Sequence, residues 1–210
     1  MSNPSIQEIQ AALTRAGYAP GPADGVFGAR TEAAVRAWLD ARGQPRPAAA
    51  PAPGIAVAPV IYQGAARHAV HEIIVHCSDT RPDWMTSAGI SAQRAEIRRW
   101  HLARGWADIG YHWVIARDGA VTAGRPETQV GAHVEGHNAG TIGICLIGGH
   151  GSAATDRFSD HFTPAQDLTL RQLLLGIGMR TQITRISGHN EYAAKACPGF
   201  NVPNWLKEAI

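Results

Sequence analysis

The feature that most constrains the fold of this chain is a proline-rich segment that divides it into two unequal parts. Residues 45–59 read PRPAAAPAPGIAVAP and contain five prolines with a single charged residue. Such a composition favours an extended, semi-rigid spacer over a packed element. The sequence therefore predicts three units: a helical domain at residues 1–44, a Pro/Ala-rich linker at 45–66 and a larger domain at 67–210.

The charge and the cysteine count exclude several classes of protein. A formal net charge of +2 is too weak to indicate a nucleic-acid partner. The first residues, MSNPSIQEIQ, lack the apolar run of a secretory signal, and no stretch is apolar for long enough to span a membrane. Three cysteines without framework spacing argue against structural disulfides. We therefore expect synthesis in the cytoplasm, no membrane insertion and a cysteine that is free or bound to metal.

The part before the linker reads as two short helices. SIQEIQAALTRAG places Ile6, Ile9 and Leu13 on one face, and TEAAVRAWLDARG does the same for Val35 and Trp38. A turn-rich segment joins the two helices. A helical unit of this length has only a marginal core of its own.

The part after the linker alternates between short apolar runs and helical patterns. VHEIIVHC and YHWVIARDG read as strands, and the second closes in a turn at Asp118-Gly119 before AVTAGR. TIGICLIGG is apolar on both faces, which predicts a central strand. SAQRAEIRRWHLARG reads as a helix that ends at Gly105, and a second helix begins at Thr163 with a capping box to Gln166. This order predicts an α/β fold.

One segment near the C-terminus brings together three residues with chemical potential. SGHNEYAAKACPGF contains His189, Lys195 and Cys197. On a straight helix His189 and Cys197 would lie roughly 12 Å apart, too far to share a ligand. Pro198 and Gly199 disfavour a helix at the cysteine. The segment is therefore expected to fold back as a compact loop.

A partner for these residues is found on the strand EIIVHC. Neighbouring side chains on a strand point to opposite faces, so His76 and Cys77 cannot both reach one site. Cys77 is the more natural core residue, and His76 is predicted to be an accessible ligand near the strand end. His76, His189 and Cys197 would give zinc (Zn2+) three protein ligands and leave one open position, the arrangement typical of catalytic zinc.

The remaining candidates are weaker. Lys195 either stabilises an oxyanion or is an ordinary surface lysine. Cys145, inside TIGICLIGG, reads as a buried apolar residue. HVEGH at residues 133–137 lacks the spacing of the helical zinc motif, and its glycines argue against a helix. His112 reads as an interior, hydrogen-bonded histidine.

Five segments in order resemble zinc-dependent N-acetylmuramoyl-L-alanine amidases of type 2, a family that includes phage lysozymes and peptidoglycan recognition proteins. They are EIIVHCSDT, RRWHLARGWADIGYHWVIARDGAVTAGRPE, VGAHVEGHNAGTIGICLIGG, FTPAQ and GHNEYAAKACPGF. Residues 5–43, with the core DGVFGARTEAAV, resemble the small helical peptidoglycan-binding domain. The resemblance implies a mixed central β-sheet flanked by helices and preceded by a small all-α domain.

The same resemblance assigns roles to individual residues. It implies His76, His189 and Cys197 as zinc ligands, with Tyr111 and Lys195 as the catalytic residues of the phage-lysozyme branch. His133 and Asn138 fall in the loop that borders the substrate groove in the family, which implies contact with substrate.

The sequence thus predicts a monomeric peptidoglycan hydrolase that cleaves the amide between N-acetylmuramic acid and L-alanine. Its expected setting is that of a phage endolysin, released from the cytoplasm onto the cell wall. The alternatives are a recognition protein that binds wall fragments without cleaving them, and a recycling or effector amidase with the same chemistry. The presence of Cys197 favours catalysis, because non-catalytic members typically lose that ligand.

Overall fold

The computed structural model describes residues 4–42 and 60–208. Residues 45–59 of the predicted linker at 45–66 lie outside these ranges, whereas its last residues are described and contain the strand Tyr62–Gln63. The strands are β1 Tyr62–Gln63, β2 His68–Ala69, β3 Glu72–Cys77, β4 Trp113–Ile115, β5 Val121–Ala123, β6 Thr141–Leu146 and β7 Arg185–Gly188. The helices are α1 Pro4–Arg15, α2 Ala29–Asp40, α3 Gly89–Ala103, α4 Phe158–His161, α5 Pro164–Gly178 and α6 Val202–Trp205.

Five of the strands form one mixed sheet in the order β5-β4-β6-β3-β7. β4, β6, β3 and β7 run parallel, and β5 joins β4 as an antiparallel hairpin. The hairpin turns at Asp118 and Gly119, as predicted, and Gly119 has a φ of +83°. The predicted central position of TIGICLIGG is confirmed, because β6 lies between β4 and β3 and is buried throughout. The mixed sheet flanked by helices is therefore the predicted fold class.

The two faces of the sheet are covered by different helices. Ile73 and Val75 of β3 belong to the larger apolar core, which also contains Leu170 and Leu173 of α5. Val114 of β4 points to the opposite face, where it packs with Ile97 of α3 in a smaller core. His76 shares that second face, because it pairs with Cys145 of β6, which in turn pairs with Val114.

Helix α5 begins with the predicted capping box. The Thr163 hydroxyl accepts a hydrogen bond from the Gln166 N–H at 3.2 Å, and the Gln166 side chain accepts one from the Thr163 N–H at 3.1 Å. Pro164 occupies the first turn, where its missing N–H costs nothing. The Gln166 amide also donates to the Ile147 carbonyl at 2.9 Å, which anchors the start of the helix to the sheet.

The N-terminal helices pack on α5 and extend the larger core. Leu13, Val35 and Leu39 are buried in the same apolar cluster as Ile177 of α5. Gly176 permits the close approach, since a Cβ placed there would lie 2.5 Å from Leu39 Cδ1. The small module is thus docked on the larger domain, and its marginal core is completed by a helix from that domain.

One strand that positions the functional site has no counterpart in the sequence prediction. β7 covers only four residues at the sheet edge, and its burial rises from exposed Arg185 to buried Gly188. This gradient gives no alternation of apolar and polar residues to recognise. The strand nevertheless decides where His189 lies, because that residue follows it directly.

Candidate metal centre and active site

The candidate site is a cleft of about 1270 Å³ at the C-terminal end of β3. Its walls come from the loop after β3, from the end of α3, from the segment before β6 and from the loop after β7. Residues at its lining include Cys77, Asp79, His101, Arg104, Trp106, Tyr111, His133, Glu135, Asn138, His150, His189, Tyr192, Lys195 and Cys197. Ligands and catalytic groups would therefore meet at the carboxyl ends of parallel strands, the usual location in such sheets.

The three predicted metal ligands converge in this cleft. One ligand atom from each of His76, His189 and Cys197 lies within 4.8 Å of the others. His76 Nδ1 and Cys197 Sγ are 3.8 Å apart. A tetrahedral zinc ion with nitrogen and sulfur ligands would set such a pair roughly 3.6 Å apart, so the donor set fits zinc in type and in spacing.

Two local features bring the ligands together. β7 runs beside β3 and pairs Gly188 with Val75, so His189 emerges next to His76. The chain then makes a 3-10 turn at His189–Glu191 and folds back, with Gly199 at a φ of +90°. On its return, Cys197 Sγ accepts a hydrogen bond from the Cys77 N–H at 3.3 Å. The loop predicted from Pro198 and Gly199 is present.

The burial of the His-Cys pair on β3 agrees with expectation for one residue only. Cys77 is 7% exposed and belongs to the larger apolar core, as predicted, but His76, which was predicted to be accessible, is 0% exposed. The ring centroids of Tyr111, His133 and His189 all lie within 5.2 Å of the His76 ring and cover it. His76 therefore lies buried beneath the lining of the cleft.

His133 and Asn138 lie beside the ligand cluster. His133 is buried, and its Nδ1 lies 3.1 Å from His76 Nε2, within hydrogen-bond distance. The Asn138 side-chain oxygen accepts hydrogen bonds from the N–H groups of His133 and Val134 at 2.7 and 2.9 Å. This geometry lets His133 orient His76 and leaves Nδ1 of His76 free to bind a metal.

The electrostatics of the cluster keep both histidines in the form that can bind a metal. Burial lowers the pKa of His76 well below its usual value, and the neighbouring His133 and His189 act in the same direction. Burial also lowers the pKa of His189, and the positive charge of Lys195 lowers it further. Both rings are thus neutral, the form that binds metal. The hydrogen bond with Cys77, followed by burial, raises the pKa of Cys197, so a thiolate there requires a nearby positive ion.

Tyr111 and Lys195 border the same space. Burial raises the pKa of Tyr111 well above its usual value, so its hydroxyl stays protonated and can donate a hydrogen bond. Burial also raises the pKa of the Cys145 thiol well above its usual value. Lys195 is exposed at the mouth of the cleft. The predicted interior role of His112 is confirmed, since its Nδ1 accepts from the Gly143 N–H at 3.0 Å.

Several residues of the cleft were not singled out from the sequence. Trp106 and Arg104 form one wall at the end of α3, and Trp106 stacks on His101 with ring centroids 4.5 Å apart. Asp79 and His150 approach to 3.5 Å at the rim. The available signal was the position of Trp106 in the loop directly after the helix-terminating Gly105, because binding residues often lie on loops.

Comparison with known proteins decides the family. The N-acetylmuramoyl-L-alanine amidase family matches residues 66–200, more than half of the chain. The chain belongs to this amidase family. A second family, described as a putative peptidoglycan binding domain, matches residues 2–43. Within the described residues the amidase has no helix long and apolar enough to cross a bilayer.

The relatives of this amidase include cell-wall enzymes and recognition proteins. The endolysin of Escherichia phage T7 is 42% identical over 142 residues, which cover 68% of this chain and 89% of the phage protein. Peptidoglycan-recognition protein SC2 of Drosophila melanogaster is 32% identical over 58% of this chain and 65% of its own length. The solved amidase LysC of Clostridium intestinale has a TM-score of 0.52 at 30% identity and covers 64% of this chain and 80% of its own. The protein is thus a peptidoglycan-hydrolysing amidase.

Proposed function

We propose that this amidase uses zinc, bound by His76, His189 and Cys197, to cleave the amide between N-acetylmuramic acid and L-alanine. The observation that carries the proposal is the meeting of two neutral imidazoles and one thiol from distant parts of the chain, with His189 and Cys197 in the lining of a cleft and His76 buried behind them. When bound at such an open site, zinc supplies an acidified water and polarises the substrate carbonyl.

The residues around the ligands would position the metal ligand His76, stabilise the oxyanion and contact the substrate. His133 holds the His76 ring so that Nδ1 faces the metal position. Lys195, at the mouth of the cleft, would donate to the oxyanion that forms when the amide carbonyl is attacked. Tyr111, protonated and adjacent to His76, would orient the attacked group by its hydroxyl. Arg104 and Trp106 offer a cationic and an aromatic wall for the stem peptide.

The biological setting follows from the relatives and the N-terminal module. A wall-binding module raises the local concentration of the enzyme on an insoluble polymer, which supports action on intact wall over recycling of soluble fragments. Together with the phage endolysins among its relatives, this supports an endolysin that acts on the bacterial wall, and we propose that it acts as a monomer.

The test is a digestion of purified cell wall with metal-loaded and chelator-treated protein. We expect new N-terminal L-alanine without new reducing sugar, loss of activity on chelation and recovery with zinc. Reducing ends without free alanine would exclude an amidase cleavage, and full activity of metal-free protein would exclude the zinc role. A recognition protein would bind the wall and release neither product.

A further inference from the structure

We propose that Glu72 is a positioning residue for the metal centre, which holds His189 in place through Ser187 and Tyr192. The inference rests on the proposed zinc site and adds residues that do not touch the metal. Glu72 is the first residue of β3, the strand that carries His76. A single buried carboxylate would then fix the relative positions of two ligands that are 113 positions apart in the sequence.

The carboxylate of Glu72 is buried and receives two hydroxyl donors. Its Oε1 accepts a hydrogen bond from the Ser187 hydroxyl at 2.5 Å and another from the Tyr192 hydroxyl. Arg185 Nε lies 3.4 Å from the same oxygen, although the arginine side chain is half exposed. Removing a carboxylate from water is costly, and these three contacts offset that cost.

These contacts tie both ends of the segment that carries His189 to β3. Ser187 precedes His189 by two positions, and Tyr192 follows it by three. The segment between them is a compact turn, in which the Tyr192 N–H donates to the His189 carbonyl at 3.0 Å. The Glu191 side chain closes the turn by accepting from the Gly188 N–H at 2.7 Å.

The sheet fixes the backbone of His189 only from its N-terminal side. β7 is the edge strand, and its ladder with β3 ends at the pair Val75 and Gly188, one residue before the ligand. Among the residues that the structure describes, no strand pairs with the turn beyond that point. The Glu72–Tyr192 contact is therefore the first side-chain contact that returns the chain to β3 after the histidine, ahead of the contact between Cys197 and Cys77. Metal sites commonly depend on such outer hydrogen bonds for the orientation of their ligands.

The test measures zinc affinity and folding stability separately in the full-length protein. Tyr192→Phe removes one hydroxyl and keeps the ring, whose centroid lies 4.5 Å from that of the His137 ring. We expect zinc affinity, measured by competition with a chromophoric chelator, to fall about tenfold in Tyr192→Phe. In Glu72→Leu, which loses both hydroxyl contacts, zinc affinity should fall further. In Glu72→Gln, whose amide oxygen can still accept a hydrogen bond, the loss of zinc affinity should be smaller than in Glu72→Leu.

The matched control is Glu127, a second buried carboxylate, which contacts Trp113 and Arg180 away from the cleft. Glu127→Gln should lower the melting temperature of the metal-free protein and leave zinc affinity unchanged. Tyr192→Phe should lower zinc affinity and leave the melting temperature of the metal-free protein unchanged. Glu72→Leu should lower zinc affinity by a smaller factor in the Tyr192→Phe background than in the wild-type protein, because the two residues act through one contact.

Two outcomes overturn the inference and are distinguishable. Wild-type zinc affinity in both Tyr192→Phe and Glu72→Gln would show that Glu72 does not position the ligand, while the zinc proposal would stand. Failure of the unaltered protein to bind zinc in the same titration would overturn the metal site and, with it, the positioning role.

Discussion

The two faces of the sheet carry two different kinds of assembly. On the α3 face, polar side chains from distant parts of the chain meet at the cleft, and the His76 ring contacts both His133 and His189. On the α5 face, apolar side chains of the N-terminal module continue the core of the larger domain through Leu39 and Ile177. The first assembly depends on direction and charge, and the second depends on shape and buried area.

Because of this difference, we expect the cleft to control turnover and the module interface to control stability. The lining of the cleft includes no residue from 4–42, so within the described residues the module contributes nothing to the chemistry. Its position behind α5 fixes how the enzyme is held relative to whatever the module binds. We therefore expect variants on the cleft side to change turnover with small effects on stability, and variants on the module side to do the opposite.

The largest effect is expected for Cys197→Ser. A serine hydroxyl is a much poorer zinc ligand than a thiolate, so zinc affinity should fall more than about a hundredfold, and turnover of a soluble muropeptide should fall with it. The control is Cys145→Ser, a fully buried thiol on β6, which should keep its zinc and lose stability. Metal analysis of both purified variants checks the expectation, and a full zinc complement in Cys197→Ser would contradict it.

The next effect concerns Lys195→Ala. If its ammonium donates to charge that exists only in the transition state, kcat should fall about a hundredfold, with zinc content and substrate affinity nearly unchanged. Lys207, the other lysine of the sequence, is exposed near the C-terminus and provides the control. Near-normal kcat in Lys195→Ala at full zinc occupancy would show that Lys195 is an ordinary surface lysine without a catalytic role.

The sequence allowed most of the cleft side to be predicted, and the reasons lie in particular residues. The strand around His76 and the loop bearing His189 and Cys197 have local signals: a buried apolar run, a proline and a glycine. The edge strand β7 does not, since its four residues pass from exposed to buried without alternation. Glu72 also carries no signal, because its donors are more than a hundred positions away.

The module side could be predicted only in part. Both helices and their apolar faces follow from the spacing of residues such as Val35 and Trp38. Their docking does not, because the proline-rich segment reads as a spacer and says nothing of what the module contacts. The apolar run LLLGIG in α5 is explained by contact on two sides, with the sheet and with the module. A helix pattern cannot distinguish these two partners.

The module interface is expected to matter for stability rather than for turnover. Leu39→Ala should lower the free energy of unfolding by about 2–5 kcal/mol, the range for truncating a buried leucine, because its side chain is 2% exposed and packs on α5. Turnover of a soluble muropeptide should stay at the wild-type value below the unfolding transition. Val26→Ala, at a side chain that is 59% exposed, should change stability by less than about 0.5 kcal/mol. Equal stabilities of the two variants would mean that the module does not dock on α5 in solution.

The smallest effect tests the same interface from the side of α5. Replacing a helical glycine by alanine stabilises a helix by up to about 1 kcal/mol where the methyl group has room. Gly178→Ala meets no atom within 4 Å and should gain that stability, whereas a Cβ at Gly176 would lie 2.5 Å from Leu39 Cδ1 and 3.2 Å from Val35 Cγ1. Gly176→Ala should therefore gain less than Gly178→Ala or lose stability, since Leu39 must shift.

Combining Gly176→Ala with Leu39→Ala removes the steric conflict and should restore the helix gain at position 176. The two substitutions should then be non-additive by more than about 0.5 kcal/mol, the scale of coupling between residues in contact. Gly178→Ala with Leu39→Ala should be additive. Chemical denaturation of the single and double variants measures both cycles. Additivity in both would place Leu39 away from Gly176 and leave the module attached to the amidase only through its linker.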